Sequence, residues 1–262
     1  MPCYPPPASG NLLGPDDPPP VRVSGSGVSD ILLVCDHAGR RVPVALGNMG
    51  VRPADWDRHI AWDIGAAGVC EALAPLLDCT CIEQVFSRLV IDCNRRPGHP
   101  TSIPPHSDGT AVPANDGLDD AARSARVHEI FRPYHDAIAA ELQRRQAAGR
   151  ATIVLAMHSF TPVMAGIARP WQAGVLFDRD PALSLALAAE LRAGGLYVGE
   201  NEPYALSDDS DYTIPVHAEA RGLAYVELEI RQDLIADAAG QTAWARRLAA
   251  ALPRALASVA GH

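Results

Sequence analysis

Hydrophobic residues along the chain follow two alternating patterns. Short continuous apolar runs predict strands buried on both faces: ILLVC (31–35), CIEQVF (81–86), LVIDC (89–93), TIVLAM (152–157), GVLFD (174–178) and LAYVELEI (223–230). Helical stretches fall between them. Residues 65–77 read as one helix. Val127, Ile130, Phe131, Tyr134, Ile138 and Leu142 recur at spacings of three and four, which predicts a long helix closed by Gly149. Pro133 inside it predicts a kink or a break. Asp180-Pro181 provides an N-cap and a first-turn proline for a helix ending at Gly194-Gly195. Thr213-x-Pro215 opens a short helix to Gly222, and an Ala/Arg/Leu helix, about 241–257, closes the chain. Strands and helices in alternation predict an α/β sandwich on a mostly parallel sheet, with ligands bound at the carboxyl ends of the strands.

Two stretches fall outside this pattern. Residues 1–28 are rich in Pro, Gly and Ser and read as a flexible tail or a strap on the surface; 29–262 then form a single domain without internal repeats. Residues 95–117 form a long Pro/Gly/His-rich loop.

Composition narrows the chemistry. The chain of 262 residues has a net charge of −9, and all 22 basic residues are Arg. Without Lys there is no Schiff-base, pyridoxal phosphate or P-loop lysine chemistry. An acidic chain with no basic block argues against nucleic acid or an anionic membrane as partner. No apolar run reaches the roughly 18 residues that span a bilayer. Several of the six Cys (3, 35, 70, 79, 81, 93) sit in apolar runs, the pattern of reduced, buried thiols in a cytoplasmic protein.

Two histidines stand where strands meet loops. His37 follows ILLVCD, and His158 follows TIVLAM. On neighbouring strands they can converge on one zinc ion, or each can simply hydrogen-bond a backbone group. Asp63, in HIAWDIGAAG, is the candidate third ligand; its alternative is to cap the helix that follows. Asp36, next to His37, is expected to face away from such an ion. Glu227, Glu229 and Arg231 alternate on one strand, so they share a face. Glu229, nearest the strand's carboxyl end, suits a general base; the competing reading is an internal Glu–Arg pair. Arg88, Asn94 and Arg95 flank LVIDC, where a guanidinium fork can hold a substrate carboxylate. His59 is placed to support Asp63, and His217 to act behind the site or on the substrate. His99 and His106 lie in the long loop, His128 and His135 on the long helix, and His262 at the terminus. No G-x-S-x-G is present, and no G-x-G-x-x-G follows a strand.

Six motifs in order, VCDHAGRRVP, HIAWDIGA, FSRLVIDCNR, MHSFTP with ARPW, NEPY and VELEIRQDL, make residues 31–235 resemble the N-formylglutamate amidohydrolase family. The resemblance implies a three-layer α/β sandwich with a central, mostly parallel mixed sheet, like that of zinc carboxypeptidases and aspartoacylases. It also implies one divalent metal, zinc, held by His37 and His158, and Glu229 as general base. Arg88, Asn94 and Arg95 match a motif for the substrate carboxylate, and Arg169 and Tyr204 fall in runs implied to touch substrate. Zinc carboxypeptidases carry a ligand Glu three residues after the first His; Arg40 stands there, so Asp63 takes that ligand's place. The expected substrate is a small carboxylate-bearing N-acyl amino acid, foremost N-formylglutamate, cleaved to formate and glutamate. Other N-acyl amino acids or short peptides are the enzymatic alternatives, and a non-catalytic metal- or carboxylate-binding protein the alternative of another class.

Overall fold

The computed structural model describes residues 12–25 and 27–260; Cys3 and His262 lie outside the described residues. Seven strands build one sheet: β1 (Val21–Ser24), β2 (Ile31–Cys35), β3 (Thr80–Gln84), β4 (Ile153–Phe160), β5 (Ala173–Leu176), β6 (Val198–Glu200) and β7 (Ala224–Arg231). Their order is β1-β3-β2-β4-β7-β5-β6. The central strands β3, β2, β4 and β7 run parallel; β1 is antiparallel to β3, and β5 is antiparallel to β7 and parallel to β6. The mostly parallel sheet expected from the apolar runs is therefore present, and it is mixed, as the resemblance implies.

Alternation of side chains divides the core in two. Leu33, Cys35, Leu155, Met157 and Leu228 face α1 (Ala66–Leu77), α4 (Ala182–Ala193) and α6 (Ala238–Ala260). Leu32, Val34, Val154, Ala156 and Tyr225 face the other way. They pack under α2 (Asp120–Arg126), α3 (Arg132–Ala147), α5 (Thr213–His217) and the long loop. This gives three layers, and His158, Glu227 and Glu229 share the parity of the second face.

Two sequence expectations change, and a third is narrowed. LVIDC (89–93) is not a strand but a buried turn. Its carbonyls are met by side chains rather than by a sheet partner: Asn115 Nδ2 donates to Leu89 O at 2.8 Å and Arg126 Nη1 to Val90 O at 2.8 Å. The single long helix is two, joined by a π turn over Val127–Phe131 in which the Arg132 N–H reaches Val127 O. That turn absorbs Pro133, which opens α3 where a missing N–H costs nothing. The leader, read as a flexible tail or a surface strap, takes the second form over its described part: it contributes β1, whose Arg22 pairs with Glu83 and Glu71, and the N–H groups of Leu12 and Leu13 donate to the Glu129 carboxylate.

Candidate active site

A cleft of about 640 Å³ opens at the carboxyl ends of β2, β4 and β7. His37 follows β2 and His158 lies within β4. Asp63 sits in the turn before α1 and is drawn in by its own N–H, which donates to His37 O at 3.0 Å. The turn then passes Gly65 at φ +83°, where an added Cβ would stand 2.1 Å from Ile235 O. Only glycine fits both the backbone angle and the space. Gly65 is also the N-cap of α1, and Asp63 makes no side-chain cap there. Its carboxylate turns into the cleft, so the capping role is not taken up.

Asp63 Oδ2 lies 2.9 Å from His158 Nδ1 and 3.3 Å from His37 Nδ1. The three buried side chains offer donor atoms within 4.8 Å of one another. Behind each imidazole stands another carboxylate: His37 Nε2 is 2.7 Å from Asp92 Oδ1, and His158 Nε2 is 3.3 Å from Asp36 Oδ2. Asp92 is gripped by Arg88 Nε and Nη2, and Asp36 by the Thr213 hydroxyl. Asp92 holds Nε2 of His37 in a hydrogen bond, whereas Asp36 faces Nε2 of His158 as an ion-pair partner without one; both Nδ1 atoms are turned to Asp63. Protons on the two Nδ1 atoms can satisfy the Asp63 oxygen, and once those protons leave, the three donors can turn to one cation, so the donor set fits a divalent metal.

The charges are mutually adjusted. Burial works against an ionised Asp36, yet His158 and His37 hold it down at about 2. Burial would also lower His158, but Asp36 and Asp63 outweigh it and raise it well above the usual imidazole range. His37 rises for the same kind of reason: Asp92 and Asp63 overcome burial and Arg88. Glu229 lies in register beside His158 on β7 and is 6 % exposed. Burial pushes its carboxyl up to about 7, and its Oε2 has no partner. A carboxyl poised there can take a proton near neutral pH.

Other expected site residues occupy varied places. Arg88 lines the cleft, but Nε, Nη1 and Nη2 are committed to Asp92 and Asp63. Asn94 Oδ1 accepts from the N–H groups of Tyr212 and Thr213 and so anchors the start of α5. Arg95 lines the cleft, with Nη1 bonded to Asn94 O and Asp211 Oδ1. Arg169 lies over the Tyr204 ring and donates to its hydroxyl at 2.8 Å; of the two, Tyr204 lines the cleft. His59 lines the cleft too, but its acidic neighbour is Asp108, at 3.6 Å, rather than Asp63. His217 is stacked on His135, 2.9 Å from it, behind Thr213; burial lowers these two to about 3 and about 4. Arg231 pairs with Asp233, so Glu227 and Glu229 are not neutralised by it. Arg40 pairs with Asp57 and lies over Trp62, which leaves Asp63 as the third donor. Asp36 does not join the donor set but does meet its edge, as the partner of His158. Asp92 was not foreseen; the cue was an acid inside an apolar run, four residues after Arg88.

Residues 29–236 match the family model described as N-formylglutamate amidohydrolase. The chain belongs to that family. Among solved structures, a gene product from Agrobacterium tumefaciens is 38% identical with a TM-score of 0.92, covering 95% of this chain and 99% of its own. N-formylglutamate amidohydrolase from Ralstonia eutropha JMP134 is 21% identical with a TM-score of 0.64, covering 93% and 100%. That second likeness is one of fold. The comparison with curated proteins returns no match. Membership of the amidohydrolase family makes the protein a hydrolase acting on an amide. Among the described residues no helix is long and apolar enough to cross a membrane.

Proposed function

We propose that this protein is a metal-dependent amidohydrolase that cleaves the acyl–nitrogen bond of an N-acyl amino acid. N-formylglutamate, which gives formate and glutamate, is the reference substrate of that reading. One observation carries it: two imidazoles aim Nδ1 at one Asp63 oxygen, each backed by its own carboxylate, beside the unpartnered acid Glu229.

His37, Asp63 and His158 would hold a zinc ion, which when bound supplies Lewis acidity and a more acidic water. Glu229 takes the proton of the attacking water and returns it to the nitrogen that leaves, so that amide and water become carboxylic acid and amine. Arg95 offers its remaining N–H groups to the substrate carboxylate, with Tyr204 on the same cleft wall. Arg88 keeps Asp92 ionised and holds Asp63 and Asp92 in place. Among the described residues, five free, buried cysteines support a reducing, cytoplasmic setting.

Elemental analysis of the native protein tests the metal, with His158→Ala as control. About one transition metal per chain is expected, and its loss in the variant. Glu229→Gln is expected to retain the metal and lose roughly 10²–10⁴-fold in kcat/KM. A protein that hydrolyses N-acyl amino acids equally well after exhaustive chelation would defeat the proposal.

A further inference from the structure

Attack by water on an amide carbon drives the carbonyl π pair onto the acyl oxygen, which needs a hydrogen-bond donor as its charge appears. Several polar groups around Glu229 are already committed. Arg88 is spent on Asp63 and Asp92, and the Ser159 hydroxyl donates to Ile64 O at 2.9 Å.

Tyr204 is differently placed. Its hydroxyl accepts from Arg169 Nη1 at 2.8 Å, and the same guanidinium lies 4.8 Å from the centre of its ring. A phenol that accepts from a guanidinium keeps its own proton to donate, turned away from that cation. The residue lines the cleft and is 40 % exposed, so a ligand can reach it. Burial and the charge of Glu229 push the phenol up, against Arg169 and Arg88, so it stays protonated at neutral pH.

Both partners are held by built structure. Tyr204 rides on the segment after β6, where the Asn201 N–H donates to Val175 O at 2.9 Å and Asn201 Oδ1 accepts from the Phe177 N–H at 2.9 Å. That segment lies directly on β5: a Cβ added at Gly174 would stand 1.9 Å from Glu202 O. Arg169 follows a small hairpin, Val163–Met164 with Ile167–Ala168, closed by its own N–H to Pro162 O at 2.8 Å. The hairpin leaves the end of β4 and so returns Arg169 to the rim of the cleft.

We infer that Tyr204 is a further catalytic residue: its hydroxyl, oriented by Arg169, donates a hydrogen bond to the acyl oxygen as water adds to the acyl carbon. The water oxygen bonds to that carbon, Glu229 takes the water proton, and the π pair goes to the acyl oxygen. When the pair returns, the carbon–nitrogen bond breaks and the proton passes from Glu229 to the nitrogen. Tyr204 keeps its own proton throughout, and Arg169 is a positioning residue. This rests on the amidohydrolase reading and adds to it the group that meets the developing charge.

Kinetics of the metal-loaded protein on N-formylglutamate test the assignment. Tyr204→Phe removes only the hydroxyl and is expected to lose roughly 10²-fold in kcat, with KM within about threefold of the wild type. Arg169→Met keeps the phenol but releases it, and should lower kcat in the same sense by about tenfold. Calorimetry gives a readout without turnover. A phosphonamidate, N-phosphonylglutamate, presents tetrahedral oxygens in place of the formyl group, and Tyr204→Phe should weaken its binding roughly 10- to 100-fold. N-formylglutamate titrated into Glu229→Gln, with and without Tyr204→Phe, should bind alike to within about threefold. Equal weakening of both ligands, or a loss confined to KM, would make Tyr204 a ground-state contact and overturn the inference. Absence of hydrolysis by the metal-loaded wild type would defeat the amidohydrolase reading and this one with it; full kcat in Tyr204→Phe would defeat this one alone.

Discussion

At the scale of single residues, the centre is governed by second carboxylates. An imidazole that must present Nδ1 gains from a carboxylate at Nε2: Asp92 hydrogen-bonds that atom of His37, and Asp36 faces that atom of His158 as an ion-pair partner. Asp92→Asn keeps the shape but removes the charge, so the metal should be bound about 10–100-fold more weakly, read by competition with a chromogenic chelator. An unchanged affinity would show that Asp92 merely fills space. Asp36→Asn should act likewise on His158. His37, Asp63 and His158 were readable as a group because two histidines follow fully apolar strands, although each could also have served a backbone group. Their supports were not, since Asp92 enters the site through a turn that the apolar run LVIDC disguises as a strand. Arg88 shows the opposite difficulty: sequence marks it as an anion binder, and the anions it binds are the protein's own Asp63 and Asp92.

Elements follow the same logic. A run such as ILLVC becomes a strand because its backbone groups find neighbours on both sides, β3 and β4. LVIDC is as apolar and as buried, but Arg126 and Asn115 satisfy its carbonyls, so hydrophobicity alone does not separate the two cases. Arg126 is 1 % exposed, and burial lowers its guanidinium to about 10. It donates to Val90 O, to Ala114 O and to Asn115 Oδ1. Arg126→Met would strand these acceptors and loosen the segment that carries Asp92, Asn94 and Arg95. A loss of about 2–4 kcal/mol in urea denaturation is expected, with weaker metal binding alongside. Full stability would mean that the turn holds itself. The edge strands β1 and β6 escaped the apolar-run criterion for a related reason. β1 has an exposed Val23 and relies on backbone bonds and Arg22, and β6 is three residues long.

For the molecule as a whole, the buried site sets opposite pH dependences with and without metal. Glu227 and Glu229 have raised carboxyl pKa values, chiefly through burial, Glu229 to about 7. Between the unfolded value near 4.5 and the folded value, the native state binds more protons than the unfolded one, so stability falls as pH rises through that window. His37 and His158 are raised as well. Their contribution is complete below about 6.5 and is lost as pH climbs through their folded values. The depressed acids Asp36, Asp63 and Asp92 act the other way, but only as pH drops through their own low folded values, below this range. The metal-free protein should therefore lose stability steadily from pH 5 to 8. Metal must displace the protons on the imidazoles, so its stabilisation grows with pH, by roughly 1–3 kcal/mol per pH unit if one or two protons leave. Thermal melts in chelator and in excess zinc, run at half-unit steps across this range, should diverge as pH rises. Parallel curves would mean that no imidazole proton is lost on binding, and that His37 and His158 are not the ligands.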